Sequence, residues 1–246
     1  ERDGLDVVAS TESSAPNIDD PFESNVCSNG SLSKTLLSKI EMLESSGNSD
    51  LDEYIDLQLP ELNRITNHEP HFSFYDDSVA PNAKTIHCGK NSYVLLGRNM
   101  SANWVKPNKT GGTSIYAVVA LLMHEYAHLT QYEYNLQYYN KMPALELLSD
   151  AMAGWYIAYT IDQMRRNPPK NHSRKKMNAL FQHSIDNALT MIFDIGDTAF
   201  HSSSHHGSPR ERKLAFNHGY NIFENGTNNY REAYKVAMNE RSIHRR

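Results

Sequence analysis

His124, Glu125 and His128 fall in the order H-E-x-x-H within His124-Glu125-Tyr126-Ala127-His128. Residues four apart lie nearly one above the other on a helix, so the two imidazoles share a face. They can converge on one tetrahedral zinc ion, at nitrogen distances of about 2.0–2.1 Å. Glu125 is displaced around the helix from both rings. It cannot bind the same ion, but it can reach a water molecule on it, which is the pairing that metal-assisted hydrolysis needs. The run Ile115–Met123 leads straight into the motif and is apolar. It predicts a buried helix, at whose end His124 and Glu125 are costly to bury unless something pairs with them.

A catalytic zinc takes three protein ligands and keeps one position open. The metzincin extension H-E-x-x-H-x-x-G-x-x-H is excluded here, because Gln131 stands at its glycine and Tyr134 at its last histidine. The third ligand is therefore sought on a second helix packed antiparallel to the first. Leu145–Trp155 supplies it, just after Pro143, which suits a first helical turn. The break at Tyr139-Asn140-Lys141-Met142 reads as the turn between the helices. Glu146 and Asp150 are again four apart, set among Leu145, Leu147, Leu148, Met152 and Trp155. Glu146 is placed to bind the metal. Asp150 is placed to accept the other ring N–H of a ligand histidine and so fix its tautomer. Glu133, five residues beyond His128, is the rival third ligand, but it lies off the histidine face.

The segments HEYAHLTQ and ELLSDAMAGW resemble the gluzincin arrangement of H-E-x-x-H with a downstream E-x-x-x-D. They are more closely similar to a bacterial family of neutral zinc metallopeptidases. That family also carries a late His-Gly-Ser/Thr segment, an Arg and an aromatic-Gly pair. Here these are matched by His206-Gly207-Ser208-Pro209-Arg210-Glu211-Arg212, then Phe216 and Gly219-Tyr220. The resemblance spans residues 80 to about 223 and implies a zincin-like domain. It implies a zinc peptidase with His124, His128 and Glu146 as ligands and Glu125 as the base. It implies no particular substrate. His206, which shares its loop with His201 and His205, is expected to donate to the developing oxyanion or to position substrate, with Tyr220 as the alternative.

The chain has 246 residues, 39% hydrophobic and 22% charged, which fits a soluble globular domain. Residues 1 to 30 hold seven acids against Arg2 alone, a balance of −6 within a total of −5, so the remainder is near neutral at +1. This excludes a nucleic-acid footprint. Residues 1–30 read as a flexible acidic tail and 31–246 as a single metallopeptidase-like domain. No apolar run approaches the roughly 20 residues of a membrane span, so stable membrane insertion is not expected. No basic-then-apolar signal peptide is present, and a chain beginning at Glu1 and not Met is expected to have had a signal peptide or membrane anchor removed, or to begin at an arbitrary cut. Cys27 and Cys88 are equally consistent with one disulfide and with two thiols. An extracytoplasmic location, periplasmic or secreted, is the preferred reading.

The periodicity predicts a mostly helical α+β fold with a small antiparallel sheet before the active-site helix. Leu32, Leu36, Leu37, Ile40 and Leu43 form a helical stripe ended by Gly47, and a short helix covers Leu51–Leu62 with Pro60 as a weak point. Phe72–Tyr75 alternates as a strand. Ala83–Cys88 and Ser92–Gly97 flank Gly89-Lys90-Asn91 as a hairpin whose free edge could bind an extended peptide by strand addition. Gly111-Gly112 precede the N-cap candidates Thr113 and Ser114, and the zinc helix is expected to run to about Tyr139. The carboxylate helix should stop at Asn167-Pro168-Pro169, ahead of a basic loop, Lys170–Lys176. Helices are predicted over Met177–Ile192, from the capping box at Ser208–Glu211 to about Phe223, and over Asn228–Ala237.

The expected activity is hydrolysis of peptide bonds in peptide or protein substrates, with Zn²⁺ as cofactor. The competing expectations are a zinc amidohydrolase for non-protein or cell-wall amides, which wants a closed pocket, and a metal-stabilised binding protein, which wants four protein ligands.

Overall fold

A helix that is apolar all round belongs inside a protein, and two here are of that kind. The first, Ile115–Glu133, is buried at every position from Ala117 to Tyr132; the second, Met142–Arg166, is buried continuously from Leu148 to Ala158. The computed structural model describes residues 37, 40–78, 82–88, 91–105, 115–136, 142–168, 179, 181–183, 185–190 and 207–239. In chain order the elements are β1 (Met42–Leu43), α1 (Ser49–Thr66), β2 (His71–Tyr75), β3 (Ala83–Cys88), β4 (Asn91–Gly97), α2 (Arg98–Val105), α3 (Ile115–Glu133), α4 (Met142–Arg166), α5 (Pro209–Glu224) and α6 (Tyr230–Asn239). Further helical residues lie at 181–183 and 185–190. The fold is α+β and mostly helical. Among the described residues no helix is long and apolar enough to cross a membrane.

The sheet order is β1-β2-β4-β3. It is mixed and not purely antiparallel as expected: β3 pairs antiparallel with β4, but β2 pairs parallel with β4. The reason lies in β4, where Val94, Leu95 and Leu96 are all fully buried. A strand covered on both faces takes a central place, which sends its hairpin partner β3 to the edge. The predicted hairpin is present but tighter by one residue: Asn91, expected in the turn, pairs with Cys88 as the first residue of β4.

Other boundaries differ from the sequence reading for identifiable reasons. Met42 and Leu43 pair with Tyr75 and Phe74 as a short strand, so the stripe through Leu43 does not continue as helix. The helix expected over Leu51–Leu62 is longer and runs through Pro60. Pro60 and Asp56, whose carbonyl loses its partner, both face solvent, where water can replace the bond. α3, expected to reach about Tyr139, stops at Glu133, and Asn135 beyond it adopts a left-handed φ of 54°. The capping box is present, with Ser208 and Glu211 bonding each other's backbone N–H, and α5 runs to Glu224. The acidic tail, the Gly111–Ser114 caps and the basic loop lie outside the described residues.

α4 and α5 meet backbone to backbone. A Cβ on Gly154 would lie 1.9 Å from the Phe216 carbonyl oxygen, and one on Gly219 would lie 1.6 Å from that of Ala151. The Gly219 of the aromatic-Gly pair is therefore a crossing point. Arg212, Phe216 and Gly219 share one face of α5 (i, i+4, i+7), so the crossing brings Arg212 onto the carboxylate row of α4.

Candidate metal centre

α3 carries His124, Glu125 and His128 into the interior, at 3%, 5% and 8% exposure, and α4 brings Glu146 against them at 6%. The His124 and His128 Nε2 atoms are 3.1 Å apart. Glu146 Oε2 lies 3.3 Å from His124 Nε2 and Oε1 lies 3.4 Å from His128 Nε2. Ligands at the bond lengths usual for tetrahedral zinc stand about 3.3–3.4 Å from one another, so these separations match the edges of such a site. His124, His128 and Glu146 could hold a metal ion.

The tautomers agree. His124 Nδ1 donates to Asp150 Oδ1 at 2.9 Å. His128 Nδ1 faces Gln131 Oε1 at 2.9 Å. The Gln131 amide is itself oriented by donating to the Leu145 carbonyl at 2.8 Å and to Ser149 Oγ at 3.0 Å. With both Nδ1 atoms carrying protons, each Nε2 offers a lone pair to the same point, where only a cation is stable. Burial disfavours the His124 cation, but Asp150 and Glu146 outweigh it and push its pKa up to about 10. The site is thus built around a positive charge, proton or metal.

Asp150, fully buried, is also gripped by Arg212: Nε donates to Oδ2 at 2.7 Å and Nη2 to Oδ1 at 2.8 Å. Arg212 is 2% exposed, and Nη2 lies 3.7 Å from Glu146 Oε2. Burial works against its charge, yet Asp150 and Glu146 raise its pKa above the ordinary arginine value. Glu125 is held from the sheet: Thr85 Oγ1 on β3 donates to Glu125 Oε2 at 2.7 Å and to its carbonyl at 2.9 Å. Glu125 Oε1 has no such partner among the described residues.

The structure therefore brings together His124, Glu125, His128, Glu146 and Asp150. Glu133 is turned away, with Oε2 at 2.6 Å from Arg231 Nη1. Tyr220 sits beside Arg165 and Glu224, and among the described residues the cluster of His124, His128 and Glu146 does not include it. His206, His201 and His205 lie outside the described residues. Sequence reasoning missed Thr85, Ser149 and the role of Gln131 at His128, and it knew Arg212 only as part of a motif. Helical spacing carried a signal for one of them, since Gln131 is i+3 from His128.

Glu146→Ala is expected to lower zinc affinity by orders of magnitude, because two imidazoles alone make a poor site. Glu133→Ala should leave affinity unchanged. Zinc titration with a competing chelator reads both, and the reverse outcome would move the third ligand.

No family model, curated protein or solved structure matches this chain.

Proposed function

We propose that the chain is a zinc-dependent peptidase that cuts peptide bonds within peptide or protein chains. The observation that carries this reading is the convergence of His124, His128 and Glu146 with Glu125 alongside, one carboxylate oxygen anchored and the other open. Zinc bound there would supply Lewis acidity, activating water near neutral pH and polarising the carbonyl under attack.

The chain's own residues account for the other requirements. Glu125 takes the proton of the attacking water at Oε1 and returns it to the leaving amine. Thr85 holds Oε2, so the proton arrives at and leaves from one defined atom. Asp150 and Gln131 keep the ring protons of His124 and His128 on Nδ1. β3 is an edge strand, and among the described residues no other strand pairs with its outer side. An edge strand suits an extended peptide, which favours protein substrates over compact amides. Among the described residues the candidate protein ligands are three, which favours turnover over purely structural metal binding. Cys88 is disulfide-bonded, which supports an oxidising, extracytoplasmic setting; the chain's other cysteine, Cys27, lies outside the described residues.

The test is metal analysis of the purified protein with an unbiased peptide-library digest. The expected result is zinc bound to the chain, loss of cleavage on chelation and recovery when zinc is restored. Cleavage that survives metal stripping, or zinc binding with no peptide cut, would overturn the proposal.

A further inference from the structure

A cavity of about 280 Å³ opens beside the C-terminal end of α3, between the C-cap of α1, the β3–β4 hairpin and α6. Its wall includes Asn67, His68, His87, Tyr132, Glu133 and Arg231. The volume equals the share of about nine waters, ample for one large side chain.

Tyr132 lines this cavity and also feels the carboxylates of the metal centre. Its ring stacks on His87, with centroids 5.1 Å apart and planes 17° from parallel. Its phenol is buried and lies in the field of Glu125 and Glu146; burial first, and those carboxylates second, raise its pKa. β3 makes the second connection. His87 follows Thr85 by two residues, so the two side chains share a sheet face about 6.8 Å apart. Thr85 holds the base. A peptide lying along β3 with its carbonyl beside Glu125 thus brings a neighbouring side chain to the mouth of the cavity.

The lining determines what fits. Its charges cancel, Arg231 Nη1 lying 2.6 Å from Glu133 Oε2. His68 Nε2 is engaged by Thr130 Oγ1 at 3.0 Å, and burial pushes the His68 pKa down to about 4, leaving the ring neutral. A charged side chain would meet no net counter-charge and would lose hydration. Two hydrogen-bonding groups remain available. His87 uses Nδ1 on Ser92 Oγ at 2.9 Å; among the described residues its Nε2 and the Asn67 side-chain amide have no hydrogen-bond partner. The His87–Tyr132 stack provides a flat wall suited to a ring.

We infer that this cavity is a substrate subsite for a large uncharged side chain with a hydrogen-bonding tip, tyrosine foremost, next to the bond that is cut. The inference rests on the peptidase reading above, and it adds a preference that the metal centre alone does not supply.

The test uses the zinc-loaded full chain and two independent readouts. In a peptide-library digest, tyrosine at one position flanking the cut should be favoured over phenylalanine, glutamate and lysine by about tenfold, the worth of one good hydrogen bond. His87→Phe keeps a ring against Tyr132 and removes Nε2. Asn67→Gly keeps the left-handed backbone, φ 60°, and removes the amide. Each should reduce the tyrosine-to-phenylalanine ratio to about threefold or less. Without any turnover, N-acetyl-tyrosinamide in the millimolar range should shift the His87 ring signals in NMR, and N-acetyl-phenylalaninamide should not. Cleavage without tyrosine selection, selection unchanged in both variants, or no shift with tyrosinamide would each overturn the subsite. Tyrosinamide binding by a protein that cuts no peptide would overturn the peptidase reading instead, with the selectivity of the cavity intact.

Discussion

Glu125→Gln is expected to bind zinc and fold like the parent protein while kcat falls by about two to four orders of magnitude, the range for loss of a positioned general base. Glutamine has nearly the same volume as glutamate, and its amide oxygen can still accept the Thr85 hydroxyl that now meets Oε2. The three candidate ligand residues are untouched. What disappears is a basic oxygen at the position of Oε1. Steady-state kinetics on one defined peptide, alongside metal content and thermal unfolding, separates the possibilities. Turnover at the parental rate with zinc bound would remove Glu125 from the mechanism, and loss of zinc would show that the carboxylate is structural.

Arg212→Met should destabilise the protein by about 3–5 kcal/mol, because it leaves a fully buried carboxylate without the cation that offsets its desolvation. Asp150 would retain its bond to His124 and lose both guanidinium contacts, at 2.7 and 2.8 Å. Zinc affinity should fall by about 10–100-fold, the usual effect of disturbing a group that orients a ligand histidine. Arg212→Lys keeps the charge without the two-pronged geometry and should recover only part of either loss. Pairing Arg212→Met with Asp150→Asn removes the isolated charge, so the double variant should be more stable than the sum of the singles implies. Denaturant unfolding and zinc titration measure these effects. Unchanged stability and affinity in Arg212→Met would refute any structural part for the guanidinium.

The candidate ligands were readable in advance because helical periodicity alone aligns His124 with His128 and Glu146 with Asp150. Their mutual approach needed only that the two helices be neighbours. The groups supporting them were harder to see, since each acts across the fold. Thr85 reaches Glu125 over 40 positions and Arg212 reaches Asp150 over 62. Thr85 left one local trace, a polar residue at a buried position of a strand. Arg212 left another, a charge on the face of α5 that also carries Phe216 and Gly219. The parallel pairing of β2 with β4 left only the continuous apolar run Val94-Leu95-Leu96, which marks a strand covered on both faces without saying which strand pairs beside it or in what direction. Leu43 shows the same limit: its spacing fitted a helix, and pairing with Phe74 decided otherwise.

The contact between α4 and α5 at Gly154 and Gly219 has a mechanical corollary. Side chains in a packed interior relieve stress by changing rotamer, whereas peptide planes have no such slack. A joint made of main-chain atoms therefore resists any closer approach or sliding of one helix on the other. Arg212, Asp150 and Glu146 all stand on those two helices. The spacing between the main-chain positions that carry the guanidinium and the carboxylates is accordingly set by the skeleton, and only their rotamers remain to adjust it.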